Sequence, residues 1–327
     1  MVLLIAIVAL ALVFDYTNGF HDTANAIATA VSTRALSPRA AVLMAASLNL
    51  IGALVSTNVA STVGKGIVDT DLVTLPLVLS ALIGAVTWNF VTWYFGLPSS
   101  SSQALFGGLI GAMLAAVGVS GVEWGGVVTK IILPMVLSPV IGFGAAWLLM
   151  TALYWIVRRR SPEPVNRTFR GLQWFSTGFI AFSHGGNDAQ KTMGIITLAL
   201  LSSGVIDTFE VPFWVKIACA LAMAAGTYSG GWRIIHTMGS KIMKLDPIHG
   251  FAAQTSAATV IQLATHFGLP VSTTQTITAA ILGVGSARRV SSVRWGVAGN
   301  IAVAWVLTLP AAALVAAGIY LAGVAIF

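Results

Sequence analysis

Two aspartates carry the first chemical signal in this 327-residue chain. Asp22 lies in Gly19-Phe20-His21-Asp22-Thr23-Ala24-Asn25-Ala26, and Asp188 in Gly185-Gly186-Asn187-Asp188-Ala189-Gln190-Lys191, each inside long apolar sequence. Placing a carboxylate at membrane depth costs about 2.5 to 3.5 kcal/mol on the translocon scale, so such acids mark function. With Asn25 and Asn187 close by, these segments offer carboxylate and amide oxygens suited to a hard monovalent cation, or a carboxylate for a proton. A second pair of segments comes in the same order, Phe95-Gly96-Leu97-Pro98-Ser99-Ser100-Ser101-Ser102-Gln103 and Phe267-Gly268-Leu269-Pro270-Val271-Ser272-Thr273-Thr274-Gln275. Proline removes a backbone donor and disfavours helix at the residue before it, while Ser and Thr cap helix starts. Leu97-Pro98 is therefore expected to break one helix and the Ser-Gln run to open the next. Free N–H groups and hydroxyls at a helix start attract anions, and two such starts facing each other would enclose one small tetrahedral anion.

The elements that must hold these groups are membrane helices. Only 8% of residues are charged and 57% are hydrophobic, with a mean hydropathy of +0.90. A soluble protein carries about 25% charged residues, so lipid has to be the solvent here. No stretch alternates apolar and polar residues as an outer-membrane barrel requires. The net charge of +7 is not a nucleic-acid footprint, because 12 of the 17 Lys and Arg residues fall in four clusters at loop positions. These are Arg34 and Arg39; Arg158 to Arg160 with Arg167 and Arg170; Lys241 and Lys244; and Arg288, Arg289 and Arg294. Loops carrying Asp69, Asp71, Glu123, Asp207 and Glu210 lie between them. The positive-inside rule then places the basic clusters in the cytoplasm and predicts about five crossings in each half. An odd number inverts the second half relative to the first, an arrangement found in many secondary transporters.

The expected fold is therefore an all-α polytopic membrane protein of two inverted-topology repeats, whose broken helices or helical hairpins meet at a central site. Residues 1–157 form the first repeat, with a hairpin near 97–103. Residues 158–172 form a basic cytoplasmic linker, and residues 173–327 the second repeat, with a hairpin near 269–275. Met1 to Phe14 lacks a basic leader and is expected to stay as the first helix. Whether each hairpin is re-entrant or a pair of full spans is open at this level.

The paired signatures, Asn18 to Ala26 and His184 to Gly194, resemble those of the inorganic phosphate transporter (Pit) family in its bacterial branch, and the order of signature and hairpin motifs extends the resemblance along the chain. It implies cation-coupled symport of inorganic phosphate by alternating access, in the plasma (inner) membrane of a prokaryote. Ser101, Ser102, Gln103, Thr273, Thr274, Gln275, Asn25 and Lys191 are the expected phosphate ligands. Asp22, Asn25, Asn187, Asp188, Ser100 and Ser272 are the expected ligands of the coupling cation, Na+ or H+. The second signature has Gln190-Lys191 where the first has Ala24-Asn25, so the two cation sites are not expected to be strictly equivalent.

The residues alone specify only a small oxyanion, leaving sulfate or an anion channel as alternatives. An intramembrane hydrolase would need a nucleophile beside a base, and no enzyme activity is expected. No cofactor beyond a bound Na+ is expected either; the partners are phosphate, the coupling cation, membrane lipid and, as an open case, further copies of the chain. His21, His184 and His249 lack metal-ligand spacing and read as structural hydrogen-bonding groups. Lys191 is expected either to pair with Asp188, three residues earlier, or to touch phosphate. Asp15 has no repeat counterpart and is expected near the entrance, Arg233 is expected to snorkel inward, and Cys219 is expected to pack.

Overall fold

In the computed structural model, which describes residues 1–326, the chain is built almost wholly of helices. The first half holds α1 (Val2–Ser32), α2 (Pro38–Val55), α3 (Asn58–Lys65), α4 (Leu75–Phe95), α5 (Ser101–Ala116) and α6 (Trp124–Val157), the last with a π-helical segment over Val127–Ile132. The second half repeats the series as α7 (Pro162–Ser202), α8 (Phe213–Ser229), α9 (Trp232–His236, running on through a π turn to Lys241), α10 (Pro247–His266), α11 (Thr273–Arg288) and α12 (Trp295–Ile326). Among the described residues, five helices, α1, α2, α4, α6 and α12, are long and apolar enough by length and composition to cross a membrane.

Packing exchanges partners between the halves. Helix α5 lies on α12 as α11 lies on α6, and α1 lies on α8 as α7 lies on α2. Small residues at equivalent positions permit the close approach: a methyl at Gly111 would meet the Ala313 backbone of α12, and one at Gly283 would meet the Phe143 backbone of α6. The apolar interior forms two clusters that establish the inversion. One contains the start of α1 (Leu4 to Phe14) with the end of α7 (Met193 to Leu200); the other contains the end of α1 (Ala24 to Ala30) with the start of α7 (Phe169 to Ala181). The two signature helices are thus antiparallel, and the halves are related by inversion.

Each hairpin stays in one half of the molecule. The buried apolar residues of α4 and α5 belong to the first cluster, and those of α10 and α11 to the second. Gly96 and Gly268 close α4 and α10 with left-handed backbone (φ 63° and 67°), a conformation that costs glycine little. Ser100 Oγ then accepts from Gln103 N at 3.2 Å, and Ser272 Oγ from Gln275 N at 3.3 Å, capping α5 and α11. The first tip abuts Trp305, whose Nε1 donates to Pro98 O at 3.0 Å. Trp305 lies about 15 Å along α12 at 1.5 Å per residue, so the tip turns back beside the middle of that helix.

The segment expected as a linker is mostly helix. Ser161 precedes Pro162 at the first helical position, with Glu163 in the first turn. Both prolines fall in that first turn, where the backbone N–H has no intrahelical acceptor to lose, so they start α7 rather than interrupt it. The signatures do not break their helices either: α1 and α7 run continuously through Asp22 and Asp188.

Candidate functional site

The signature stretches of α1 and α7 are buried on every face, from Thr17 to Ala30 and from Ser183 to Leu200. A helix with no solvent-facing side is a central helix, and the polar groups on it must find one another. Asp22, His184 and Asp188 do so: one ligand atom from each lies within 4.8 Å of the others. His184 Nε2 is 3.0 Å from Asp188 Oδ2 and 3.8 Å from Asp22 Oδ2, and its Nδ1 is 3.1 Å from Asn49 Oδ1. His21 Nδ1 lies 2.8 Å from Asp22 Oδ1. Both signature acids therefore carry an imidazole partner, and His184 spans the gap between them.

The hairpins close this centre from opposite ends. Thr273 Oγ1 donates to Asp188 Oδ2 at 2.7 Å, and Thr274 Oγ1 to Asp22 Oδ1 at 3.2 Å, so the start of α11 touches both acids. Asn25 Nδ2 donates to Thr274 Oγ1 at 3.0 Å and Thr273 Oγ1 at 3.3 Å. Lys191 Nζ donates to Asp188 Oδ1, to Ser102 Oγ at 2.5 Å on the first hairpin, and to Val271 O at 2.7 Å on the second. An ammonium has three protons, and here all three are used. Asn187 holds the second tip, its Nδ2 donating to Thr265 Oγ1 at 2.9 Å and Leu269 O at 3.2 Å.

The expected ligands Asp22, Asn25, Asp188, Lys191, Ser102, Thr273 and Thr274 are thus joined in one buried network. Asn187 contacts the hairpin backbone rather than an acid. Ser100 and Ser272 spend their hydroxyls capping α5 and α11. Ser101 Oγ, Gln103 Oε1 and Asn25 Oδ1 are buried without a hydrogen-bond partner, and Gln275 is buried beside the second helix start. Because Ser100 and Ser272 satisfy only the third N–H of each helix, the N–H groups of Ser101, Ser102, Thr273 and Thr274 remain free of intrahelical acceptors.

The expectation that His184 lacks ligand spacing is corrected: His184 and Asp188, four residues apart on one face of α7, are joined by Asp22 of the other half as a third potential metal ligand. Asp15 is fully buried, with both carboxyl oxygens unpartnered. Arg233 donates to Tyr94 O at 2.5 Å and lies over the Trp93 and Tyr94 rings, which anchors the last turn of α4 at the tip of the first hairpin. His249 completes a capping box with Asp246 at the start of α10 and lies 2.7 Å from Tyr154.

Oxygen atoms without donors beside two carboxylates suit a hard monovalent cation, and free N–H groups with hydroxyls at two helix starts suit an anion. The centre provides both within one enclosure. A family profile described as "Phosphate transporter family" matches residues 18–316. A probable low-affinity inorganic phosphate transporter of Rhizobium meliloti (strain 1021) is 55% identical over 322 residues, covering 98% of this chain and 96% of that one. Proteins so described from Mycobacterium tuberculosis (strain ATCC 25618 / H37Rv) and Bacillus subtilis (strain 168) are 50% and 45% identical, covering 97% and 98% of this chain and 77% and 97% of their own lengths. A solved structure titled "The sodium-dependent phosphate transporter" superposes with a TM-score of 0.89 at 28% identity, covering all of both chains.

Proposed function

The chain belongs to the phosphate transporter family and transports phosphate, and from that premise we propose that it is a secondary active symporter driven by a monovalent cation. The observation that carries this reading is the meeting of both signature acids with both capped helix starts in one buried network. Phosphate at neutral pH bears between one and two negative charges. Two ionised aspartates add two more, and Lys191 is already committed to Asp188. At 4 Å, like unit charges repel by about 4 kcal/mol at an effective dielectric of 20. Phosphate binding is therefore conditional on positive charge arriving with it.

Cations at Asp22 and Asp188, with Asn25 supplying a neutral oxygen, answer that need. A cation at Asp188 also releases Lys191 from its carboxylate partner, freeing the ammonium to join Ser101, Ser102, Gln103, Thr273, Thr274 and Gln275 around the phosphate. Cation binding and anion binding then share one side chain. With both present, the buried centre is closest to neutral and the inverted halves can rock past it. Sodium is favoured over the proton by the likeness to a sodium-dependent transporter. The basic clusters, including Arg158 to Arg160, face the cytoplasm of a prokaryotic cell, with the chain in the plasma membrane.

The test is uptake of radiolabelled phosphate into proteoliposomes with sodium and proton gradients imposed separately. Acceleration by an inward sodium gradient alone is the expected result. Equal phosphate flux with no cation gradient of either kind would replace symport by a channel.

A further inference from the structure

The acids of the central network all have partners; Asp15 has none. Its side chain is 0% exposed and neither oxygen accepts a hydrogen bond. An isolated buried carboxylate is expensive enough that it is retained with a compensating positive charge or proton. What surrounds it are further unpartnered oxygens. The hydroxyl of Thr192 lies beside the carboxyl, is fully buried, and has no partner of its own. Asn18 is one turn along the same face of α1, 1% exposed, with its Oδ1 also unpartnered. The thiol of Cys219 on α8 also lies beside the carboxyl, and the charged groups nearby, Asp188 and His184, are 3.0 Å from one another.

These oxygens form a ladder with the central site. On α1, Asp15, Asn18 and Asp22 are spaced at intervals of three and four residues; on the antiparallel α7, Thr192 and Asp188 are four apart. At 1.5 Å per residue, Asp15 stands about 10 Å from Asp22 along the helix. Its displacement is toward the end of the molecule that holds the Asp69 and Glu123 loops, where Ser202 at the end of α7 bonds Val73 O at 2.5 Å. By charge distribution this is the outer end.

We propose that Asp15, Asn18 and Thr192 form a separate monovalent-cation site, occupied by Na+ on its way from the outer side to the central acids. The proposal rests on the cation-coupled reading and adds to it a third carboxylate, with no repeat counterpart, placed on only one of the two access paths. One carboxylate with an amide and a hydroxyl oxygen supplies a single negative charge and small neutral ligands, chemistry that matches Na+ rather than a divalent ion.

The test is equilibrium binding of 22Na+ to the purified full-length protein, comparing wild type with Asp15→Asn, Thr192→Val and Asp22→Asn, each confirmed monodisperse. Asp15→Asn is expected to lose one Na+ per chain, and Thr192→Val to weaken one site about tenfold while preserving shape. Asp22→Asn is expected to lose a different Na+ and to keep the one that Asp15→Asn removes. Unchanged stoichiometry and affinity in both Asp15→Asn and Thr192→Val, with a loss in Asp22→Asn, overturns the outer site and leaves central coupling intact. A loss in Asp15→Asn but not in Asp22→Asn supports the outer site and removes the central one. No Na+ binding by wild type overturns both.

Discussion

Asp22 and Asp188, 166 positions apart in sequence, are bridged by a single imidazole: His184 Nε2 lies 3.8 Å from one carboxylate and 3.0 Å from the other. The two halves of an inverted repeat therefore share a group that only one half contributes. This breaks the two-fold symmetry at the point where the acids meet, in addition to the Lys191 difference evident in the signatures.

Exchange of either signature acid for its amide keeps shape and removes charge. Asp22→Asn and Asp188→Asn are each expected to lower gradient-driven phosphate uptake in proteoliposomes at least tenfold. Uptake at the wild-type rate with unchanged gradient dependence would exclude these acids from coupling.

His184 positions both acids, so His184→Gln should act on cation dependence rather than on folding alone. Its effect is expected as a rise of about tenfold in the cation concentration giving half-maximal uptake, with the protein still monodisperse. A variant with a wild-type cation curve would return His184 to a packing role.

Lys191 joins Asp188 to both hairpins. Removing one partner of a buried ion pair costs about 3 to 5 kcal/mol, because the other charge stays buried alone. Lys191→Met should accordingly lower the melting temperature markedly, whereas the double variant Lys191→Met/Asp188→Asn should regain part of that loss. The absence of any recovery in the double variant would show that the pair is not the source of the cost.

Gly111 and Gly283 meet backbone of the opposite repeat. Overpacking of this kind costs about 1 to 3 kcal/mol. Gly111→Val and Gly283→Val should each destabilise by that order in thermal unfolding of detergent-solubilised protein, and by similar amounts because the contacts are equivalent. If one variant were neutral and the other severe, the packing equivalence would not hold.

Caps give a more local check. Ser100→Ala and Ser272→Ala remove the side-chain acceptors at the starts of α5 and α11, a change worth about 0.5 to 2 kcal/mol each. Both should weaken phosphate affinity as well, measured as half-saturation of uptake, since the free N–H groups behind the cap lose their fixed direction. Wild-type half-saturation in both would detach the helix starts from the anion.

Much of this architecture was legible in the chain before folding. Composition demanded membrane helices, the duplicated Pro-Ser/Thr-Gln segments marked where helices must break and restart, and the parity of the charged loops implied inversion. These are local properties: a proline withholds a donor and a Ser caps a helix wherever it stands. Pro162 and Pro164 show the limit of such local reading, since a first-turn proline and a loop proline are the same residue and differ only in whether the chain beyond them coils into a helix. Which polar groups meet was decided by tertiary structure alone. His184 reaches Asp22, Lys191 reaches Ser102 and Val271, and Asp15 faces Thr192 only because α1 and α7 pack antiparallel with both hairpin tips beside them. Those partners lie from 80 to 177 residues apart and have no spacing to read, and with almost no water at that depth each polar group must be matched by whatever the packing brings.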